Sequence, residues 1–199
     1  YSEGYKTGGF NYGRGGVNRN GSRGDSGFEF EDESAKAFEI GLRSTLMDGN
    51  LRLGLTAFDS QFDNLQVSSF EGISFIVGNA AQSSSRGIEI ESQLGVSENL
   101  ELGLSFAYLD NEYDSFATAG CGVAQGALVA RILAGSGEAL PGNVSITPDN
   151  GCAQDLSGES SAFAPEYSGK LYADTHFPIS EGLEIRARVD VNFKDDHFV

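Results

Sequence analysis

The sequence predicts an all-β fold, an antiparallel up-and-down β-barrel that crosses a membrane. Three observations predict it. Residues 86–110 alternate apolar and polar side chains over two runs of about ten residues each, longer than the five or six usual in soluble proteins. Further stretches before and after them repeat that alternation. The connections between stretches are short and long by turns, with long loops on one side only. About 9–11 residues of tilted strand cross a bilayer, so run length and pattern agree.

The central hairpin is the clearest element. Ile88, Ile90, Leu94 and Val96 alternate with Glu89, Glu91 and Gln93, and Ser-Glu-Asn makes a turn. Leu100, Leu102, Leu104, Phe106 and Tyr108 return, alternating with Glu101, Gly103, Ser105 and Ala107. Side chains on a strand point to opposite faces with period two. Val96 opposite Leu100 therefore sets Leu94 against Leu102, Ile90 against Phe106 and Ile88 against Tyr108 on the apolar face. The same register sets Glu91 against Ser105 and Glu89 against Ala107 on the polar one.

From the first residue, YSEGYKTGGF is extended and then dissolves into glycine, and residues 11–34 read as a loop rich in Gly, Asn, Ser and charge. Phe38, Ile40, Leu42 and Leu46 then share one face, and Glu39, Gly41, Arg43 and Thr45 the other. Met47-Asp-Gly-Asn50 is a tight turn whose glycine accepts a positive φ. Leu51, Leu53, Leu55 and Ala57 carry the apolar face back, with Leu42 opposite Leu55 and Arg43 opposite Gly54. The phase breaks at Ala57-Phe58, which predicts a bulge there or an exit from the bilayer. Residues 68–84 read as a second loop with a β-rich piece at Ile73–Val77. The longest loop, 115–166, has no clear period, and Ala124–Ala134 reads as one or two helical turns. In the last hairpin Leu171, Ala173, Thr175 and Phe177 lead into Pro-Ile-Ser-Glu-Gly, and Leu183, Ile185, Ala187, Val189, Val191 and Phe193 lead out. Phe177 opposite Leu183 pairs His176 with Glu184, Asp174 with Arg186, Tyr172 with Arg188 and Lys170 with Asp190. Such pairs contribute about 0.2–1 kcal/mol each. The tally is seven strands, near 1–10, 35–46, 51–67, 85–97, 100–114, 167–177 and 183–194, and a bacterial barrel needs an even number of at least eight. The 199 residues are therefore expected to be one barrel segment of something larger.

Composition agrees. Hydrophobic residues are 39% and glycines number 27, which suits strands apolar at alternate positions only. No apolar run of about 18 residues exists to make a membrane helix. The net charge of −16 offers no basic patch for a nucleic acid. Cys121 and Cys152 fall together in the longest loop, where little apolar surface would bury a free thiol. They are expected to form a disulfide in an oxidising compartment, stabilising the loop by about 3–4 kcal/mol.

Catalysis finds no constellation. GxSxG, HExxH and Walker-type loops are absent, and the glycines at 13–16 lack a following helix. His176 lies opposite Glu184 as an expected ion pair, and His197 is terminal. The acidic loops lack EF-hand spacing, so no metal or cofactor is expected. Asn20 and Asn143 open glycosylation sequons with no expected role. Tyr108, Tyr113, Tyr172, Phe106, Phe177 and Phe193 near strand ends suggest an interfacial aromatic girdle. Glu39, Arg43, Glu89, Glu91, Glu101, Lys170, Asp174, His176, Glu184, Arg186, Arg188 and Asp190 would face an aqueous lumen and pair across strands; no substrate-binding residue is assigned.

YSEGYKTGGFN (1–11), AFEIGLRSTLMDGNLRLGLTAFDSQFDNLQV (37–67), NAAQSSSRGIEIE (79–91) and DLSGESSAFAPEYSGKL (155–171) together resemble the barrel of a TonB-dependent receptor. Their succession is more specific than any one motif. The resemblance implies a barrel of about 22 strands plugged by an N-terminal domain. That plug, the TonB-contacting box and the terminal strand have no counterpart here. It also implies outer-membrane lipid around the barrel, long loops 11–34, 68–84 and 115–166 outside a Gram-negative cell, and energy from TonB, ExbB and ExbD through the plug. The cargo it implies is a ferric siderophore or another scarce nutrient, moved without chemistry. A passive porin-like channel and a soluble all-β binding module or adhesin are the rival readings.

Overall fold

The computed structural model describes residues 1–11, 29–71, 74–147 and 151–196. Alternation of apolar and polar residues becomes strand wherever the sequence carries it. In chain order these are β1 (Ser2–Lys6), β2 (Gly9–Phe10), β3 (Glu29–Phe30), β4 (Glu33–Leu46), β5 (Leu51–Glu71), β6 (Ser74–Ser97) and β7 (Leu100–Ser115). After β8 (Ala119–Gly120) comes the one α-helix among the described residues, α1 (Val123–Leu133), followed by β9 (Val144–Ile146), β10 (Cys152–Gln154), β11 (Tyr167–Ser180) and β12 (Leu183–Lys194). One seven-stranded antiparallel sheet runs β1-β4-β5-β6-β7-β11-β12, each long strand beside its predecessor. It is an open up-and-down sheet whose edges are β1 and β12.

The sheet has two unlike faces and no core of its own. On the apolar face Phe38, Leu42, Ile88, Leu102, Leu171 and Val191 are all exposed, with Ile40 at 63% and Val189 at 64%. A water-soluble sandwich stacks such a face on a second sheet, and no described residue stacks on it here. The buried hydrophobic residues among those described are Phe116, Ala119, Val129, Val144 and Ala153, all in the segment between β7 and β11. There β8, β10 and β9 form a small sheet of their own beside α1.

Register follows the alternation closely in the first two hairpins. Leu42 pairs with Leu55 and Arg43 with Gly54. Leu94 pairs with Leu102, Ile90 with Phe106, Ile88 with Tyr108, Glu91 with Ser105 and Glu89 with Ala107. Only the turn departs: Ser97, not Val96, lies opposite Leu100 across a bulge.

Four expectations are corrected. No bulge occurs at Ala57-Phe58; β5 pairs with β4 without a break, and its irregularities lie between Phe62 and Gln66. Phe58 stays on the polar face because Gly87 opposite leaves room for its ring. Residues 68–84 are not irregular for most of their length, since β5 and β6 continue as a ribbon to Glu71 and from Ser74. The 115–166 segment contains an 11-residue helix rather than one or two turns.

The fourth correction is the last hairpin. It turns at Glu181-Gly182, with Gly182 at φ +82°, so Phe177 faces Ile185 and not Leu183. Gly182 takes the left-handed conformation that closes the chain in two residues, and the register shifts between Pro178 and Ser180. Pro178 is tolerated inside β11 because the pairing with β7 has ended at Thr175.

Aromatic rings cover glycines across the strands. Phe58 lies opposite Gly87, Tyr172 opposite Gly103 and Phe193 opposite Gly169. A Cβ on Gly87 would sit 2.3 Å from the Tyr108 carbonyl oxygen and 2.7 Å from the Phe58 ring. On the apolar face Tyr108 and Tyr167 have ring centroids 5.3 Å apart, and Phe106 meets Tyr167 at 6.3 Å and Phe193 at 6.4 Å. This belt includes Tyr167, which the sequence reading left out. It excludes Tyr172, which lies on the polar face, and Tyr113, which packs against Phe116 at 5.0 Å.

Gly87→Ala is expected to destabilise the refolded full-length protein by about 1–3 kcal/mol in denaturant titration, since backbone and ring must both shift. Gly41→Ala, whose Cβ would meet nothing closer than 3.6 Å, is expected to stay within about 0.5 kcal/mol.

Candidate functional site

The polar face of β4–β7, β11 and β12 gathers almost all the site residues expected from sequence, and it divides into two parts. The first is a closed network at the end of the sheet that carries the short turns. Asp174, only 7% exposed, is its hub. Arg186 donates to it from Nε at 3.0 Å and from Nη2 at 2.8 Å, and Arg188 Nη1 approaches at 3.4 Å. Arg188 also donates to Asp190 from Nε at 3.0 Å and Nη2 at 3.1 Å, and Lys170 Nζ lies 2.9 Å from Asp190. The Arg188 guanidinium sits 4.1 Å over the Tyr172 ring, whose hydroxyl donates to Glu101 at 2.8 Å. Three cations, Lys170, Arg186 and Arg188, meet three carboxylates, Glu101, Asp174 and Asp190, so the formal charge of the network is zero.

The partners differ from direct opposition. With the hairpin turned at Gly182, Asp174 lies opposite Arg188, Tyr172 opposite Asp190 and Lys170 opposite Asn192. The Asp174–Arg186, Tyr172–Arg188 and Lys170–Asp190 contacts therefore form on the diagonal, about 7–8 Å between backbones and within reach of long side chains. His176 now faces Arg186, and Glu184 faces Pro178. The expected His176–Glu184 ion pair is not among the described contacts.

The second part is an open trough of about 590 Å³ lined by Arg43, Arg52, Glu91, Lys170, Tyr172 and Arg188 over the small residues Gly54 and Ser105. Arg43 and Glu91 flank Gly54, one on each side. They stand two strand spacings apart, about 10 Å, which is why no ion pair joins them. Glu39 lies opposite Phe58 and Glu89 opposite Thr56 and Ala107. Neither has an ion pair with a described residue, so pairing across strands does not extend to Glu39, Arg43, Glu89 and Glu91. Arg52, which reaches Gln93 at 3.4 Å, was missing from the expected set. Its signal was its position on the polar side of a regular strand. Among the described residues no group of His, Cys, Asp or Glu has the arrangement of a metal site.

The segment above the other end of the sheet is stapled. Cys121 and Cys152 form a disulfide with Cα atoms 5.8 Å apart. Arg131 donates to Glu138 from Nε at 2.9 Å and from Nη2 at 3.0 Å, holding the Glu138 carboxyl below its ordinary range.

A family model described as TonB dependent receptor-like, beta-barrel, matches residues 1–190. Among solved structures, the ferric yersiniabactin uptake receptor FyuA from Yersinia pestis superposes with a TM-score of 0.61 at 15% identity, covering 98% of this chain. The chain spans 23% of the length of that receptor. The siderophore receptor PiuA from Acinetobacter baumannii gives 0.48 at 16% identity, covering 80% of this chain and 18% of that one. The alcaligin outer membrane receptor FauA from Bordetella pertussis gives 0.44 at 15%, covering 88% and 24%. No curated protein sequence matches.

Asp174→Ala is expected to cost about 1.5–3 kcal/mol, the range for hydrogen bonds to charged groups, read by unfolding of the full-length protein. Glu138→Gln is expected to cost much less than Asp174→Ala, as for exposed, solvent-screened pairs. Because the Glu138 carboxyl is held low, its small contribution is present above the ordinary carboxylate range and is lost as pH falls through the folded value. The difference between wild type and Glu138→Gln is therefore expected at pH 7 and absent near pH 2.

Proposed function

Since the chain belongs to the TonB-dependent receptor β-barrel family, we propose that the protein it forms part of is an outer-membrane receptor of a Gram-negative cell. It takes up a scarce nutrient, a ferric siderophore, energised through TonB, ExbB and ExbD. The observation that carries this reading is the uncovered apolar face: Ile, Leu, Val and Phe at alternate positions exposed on one side of a seven-stranded antiparallel sheet. Hydrocarbon satisfies such a face, and water does not. The Phe106, Tyr108, Tyr167 and Phe193 belt would mark one interface.

The polar face then lines the lumen. On this reading the short turns at 47–50, 98–99 and 181–182 face the periplasm, and the opposite end of the sheet, with residues 116–147, faces outward. The Asp174-centred network is charge-neutral and self-satisfied, which suits a wall residue set more than a cargo site. Arg43, Arg52 and Glu91, with no such closure, are the residues we assign to contact with whatever fills the lumen. Glu39, Glu89, His176 and Glu184 join the same wall. No bond in the cargo is made or broken, and the family and the solved structures above are receptors. The exposed apolar face argues against the soluble adhesin.

Deletion of the complete reading frame in its host is expected to abolish accumulation of radioactive iron supplied as a siderophore under iron limitation. Loss of TonB is expected to abolish it equally. Uptake that survives without TonB identifies a passive channel instead, and unchanged uptake in the deletion strain removes the siderophore as cargo.

A further inference from the structure

Past the end of the sheet, β5 and β6 run on as a two-stranded ribbon. β4 last meets β5 at Ser34 and Asp63, and β7 last meets β6 at Ser115 and Gln82. From there the ladder continues between β5 and β6 alone, from Leu65 opposite Ala81 to Glu71 opposite Ser74. The overhang is roughly 20 Å long at about 3.3 Å per residue. A lone two-stranded hairpin is at best marginally stable in water, so contacts from outside the ribbon decide whether it is ordered.

One set of contacts is apolar: Leu65 and Val67 pack on Phe116 and Ala119. The other is made of side-chain amides. Asn11, 6% exposed, offers both ends of its amide to one residue of the ribbon. Its Nδ2 donates to the Val77 carbonyl at 2.7 Å, and its Oδ1 accepts from the Val77 amide at 2.8 Å. Asn79 treats Glu31 in the same way. Its Oδ1 accepts from the Glu31 amide, and its Nδ2 donates to the Glu31 carbonyl at 2.9 Å and to the Asn64 carbonyl at 2.9 Å. Gln66 stands opposite Asn79 and donates from Nε2 to the same Glu31 carbonyl at 3.0 Å and to the Thr7 carbonyl at 3.2 Å. The Gln66 backbone amide donates to Glu33 Oε2 at 2.8 Å.

The residues gripped from the ribbon are the stems of the first long connection, 6–11 and 29–33. Between themselves the stems have little: β2 pairs with β3 over two residues, and the Gly8 amide donates to Asp32 Oδ1 at 2.6 Å. Stems and ribbon are thus each short of partners, and the amides supply them. An amide side chain carries a donor and an acceptor together, so it satisfies the N–H and the C=O of one residue at once. A carboxylate or an ammonium does not.

We infer that Asn11, Gln66 and Asn79 form a clasp that makes the stems (8–11 and 29–33) and the ribbon (65–71 and 74–81) one cooperative unit, ordered together and frayed together. That this unit lies on the outward end of the barrel rests on the function proposed above; the clasp itself does not. Coupling of this kind is reciprocal: a contact that orders the ribbon orders the stems, and the reverse.

The test is hydrogen exchange followed residue by residue in the full-length protein in detergent, with no cargo added. Asn79→Asp keeps the size of the side chain and its acceptor and loses the donated bonds. It is expected to speed exchange about tenfold or more, the scale of two hydrogen bonds of ordinary net strength, across the ribbon and across both stems, including 8–11. Asn11→Ala is expected to do the same, including at 29–33. In both variants the Leu42–Leu55 region is expected to keep its wild-type rate. Acceleration confined to the residues that each side chain touches overturns the single unit. Wild-type rates throughout in Asn79→Asp overturn the clasp. A faster Leu42–Leu55 region shows that the amides serve the whole sheet and overturns their assignment to this unit. None of these outcomes measures transport, so failure of the clasp and failure of the transport reading are told apart.

Discussion

The structure depends on where apolar surface goes when a sheet has nothing to stack on. Every long strand except β12, at the open edge, has a paired neighbour on each side, which leaves the side chains to settle with the solvent. On one face those side chains are Ile40, Leu42, Leu102 and Val189, all exposed. Burying a residue of this size contributes roughly 1.5–3 kcal/mol, so a whole face of them in water is untenable. A bilayer supplies the missing apolar phase, and the up-and-down order of strands supplies the only sheet form that hydrocarbon tolerates once the ladder is closed.

The opposite face is organised by charge and by ring-on-glycine packing. Asp174 is nearly enclosed while its partner Arg186 stays largely in solvent, so the carboxylate is desolvated only because two guanidiniums hold it. Tyr172 links this cluster to Glu101 and at the same time covers Gly103. One side chain thus joins β7, β11 and β12. Further along β4, β5 and β6 the same face opens into a trough because Gly54 and Ser105 leave space between charged walls. On this polar face the closed network satisfies its own charges, and only the open trough leaves groups available to a neighbour.

The 116–157 segment reverses the logic of the sheet. Phe116 and Ala119 pack together against Leu65, Val67, Tyr113 and Leu156, and the segment also holds a helix, a small sheet and a disulfide. A body of this size is usually short of core and needs a covalent staple. The Cys121–Cys152 bond meets that need.

Period two is a local signal, and whatever depended on it alone was legible in the chain. The faces of β4 to β7, the Leu42–Leu55 and Ile88–Tyr108 pairings and the cysteine pair were all readable, because each follows from neighbours in sequence or from a count of two. The last hairpin was not, since Pro-Ile-Ser-Glu-Gly admits either a wide loop or a tight turn, and a shift of two residues preserves both faces while changing every partner. Phe58 looked out of phase because its reason, Gly87, lies on another strand. The buried cluster left no trace in periodicity, for Phe116 and Ala119 meet Leu65, Val67 and Leu156 only through contacts between pieces distant in sequence. Sequence alone determined which side of each strand meets which solvent. Tertiary structure decided who stands opposite whom and where the one buried core lies, because those outcomes are set by turn geometry and packing across distant residues.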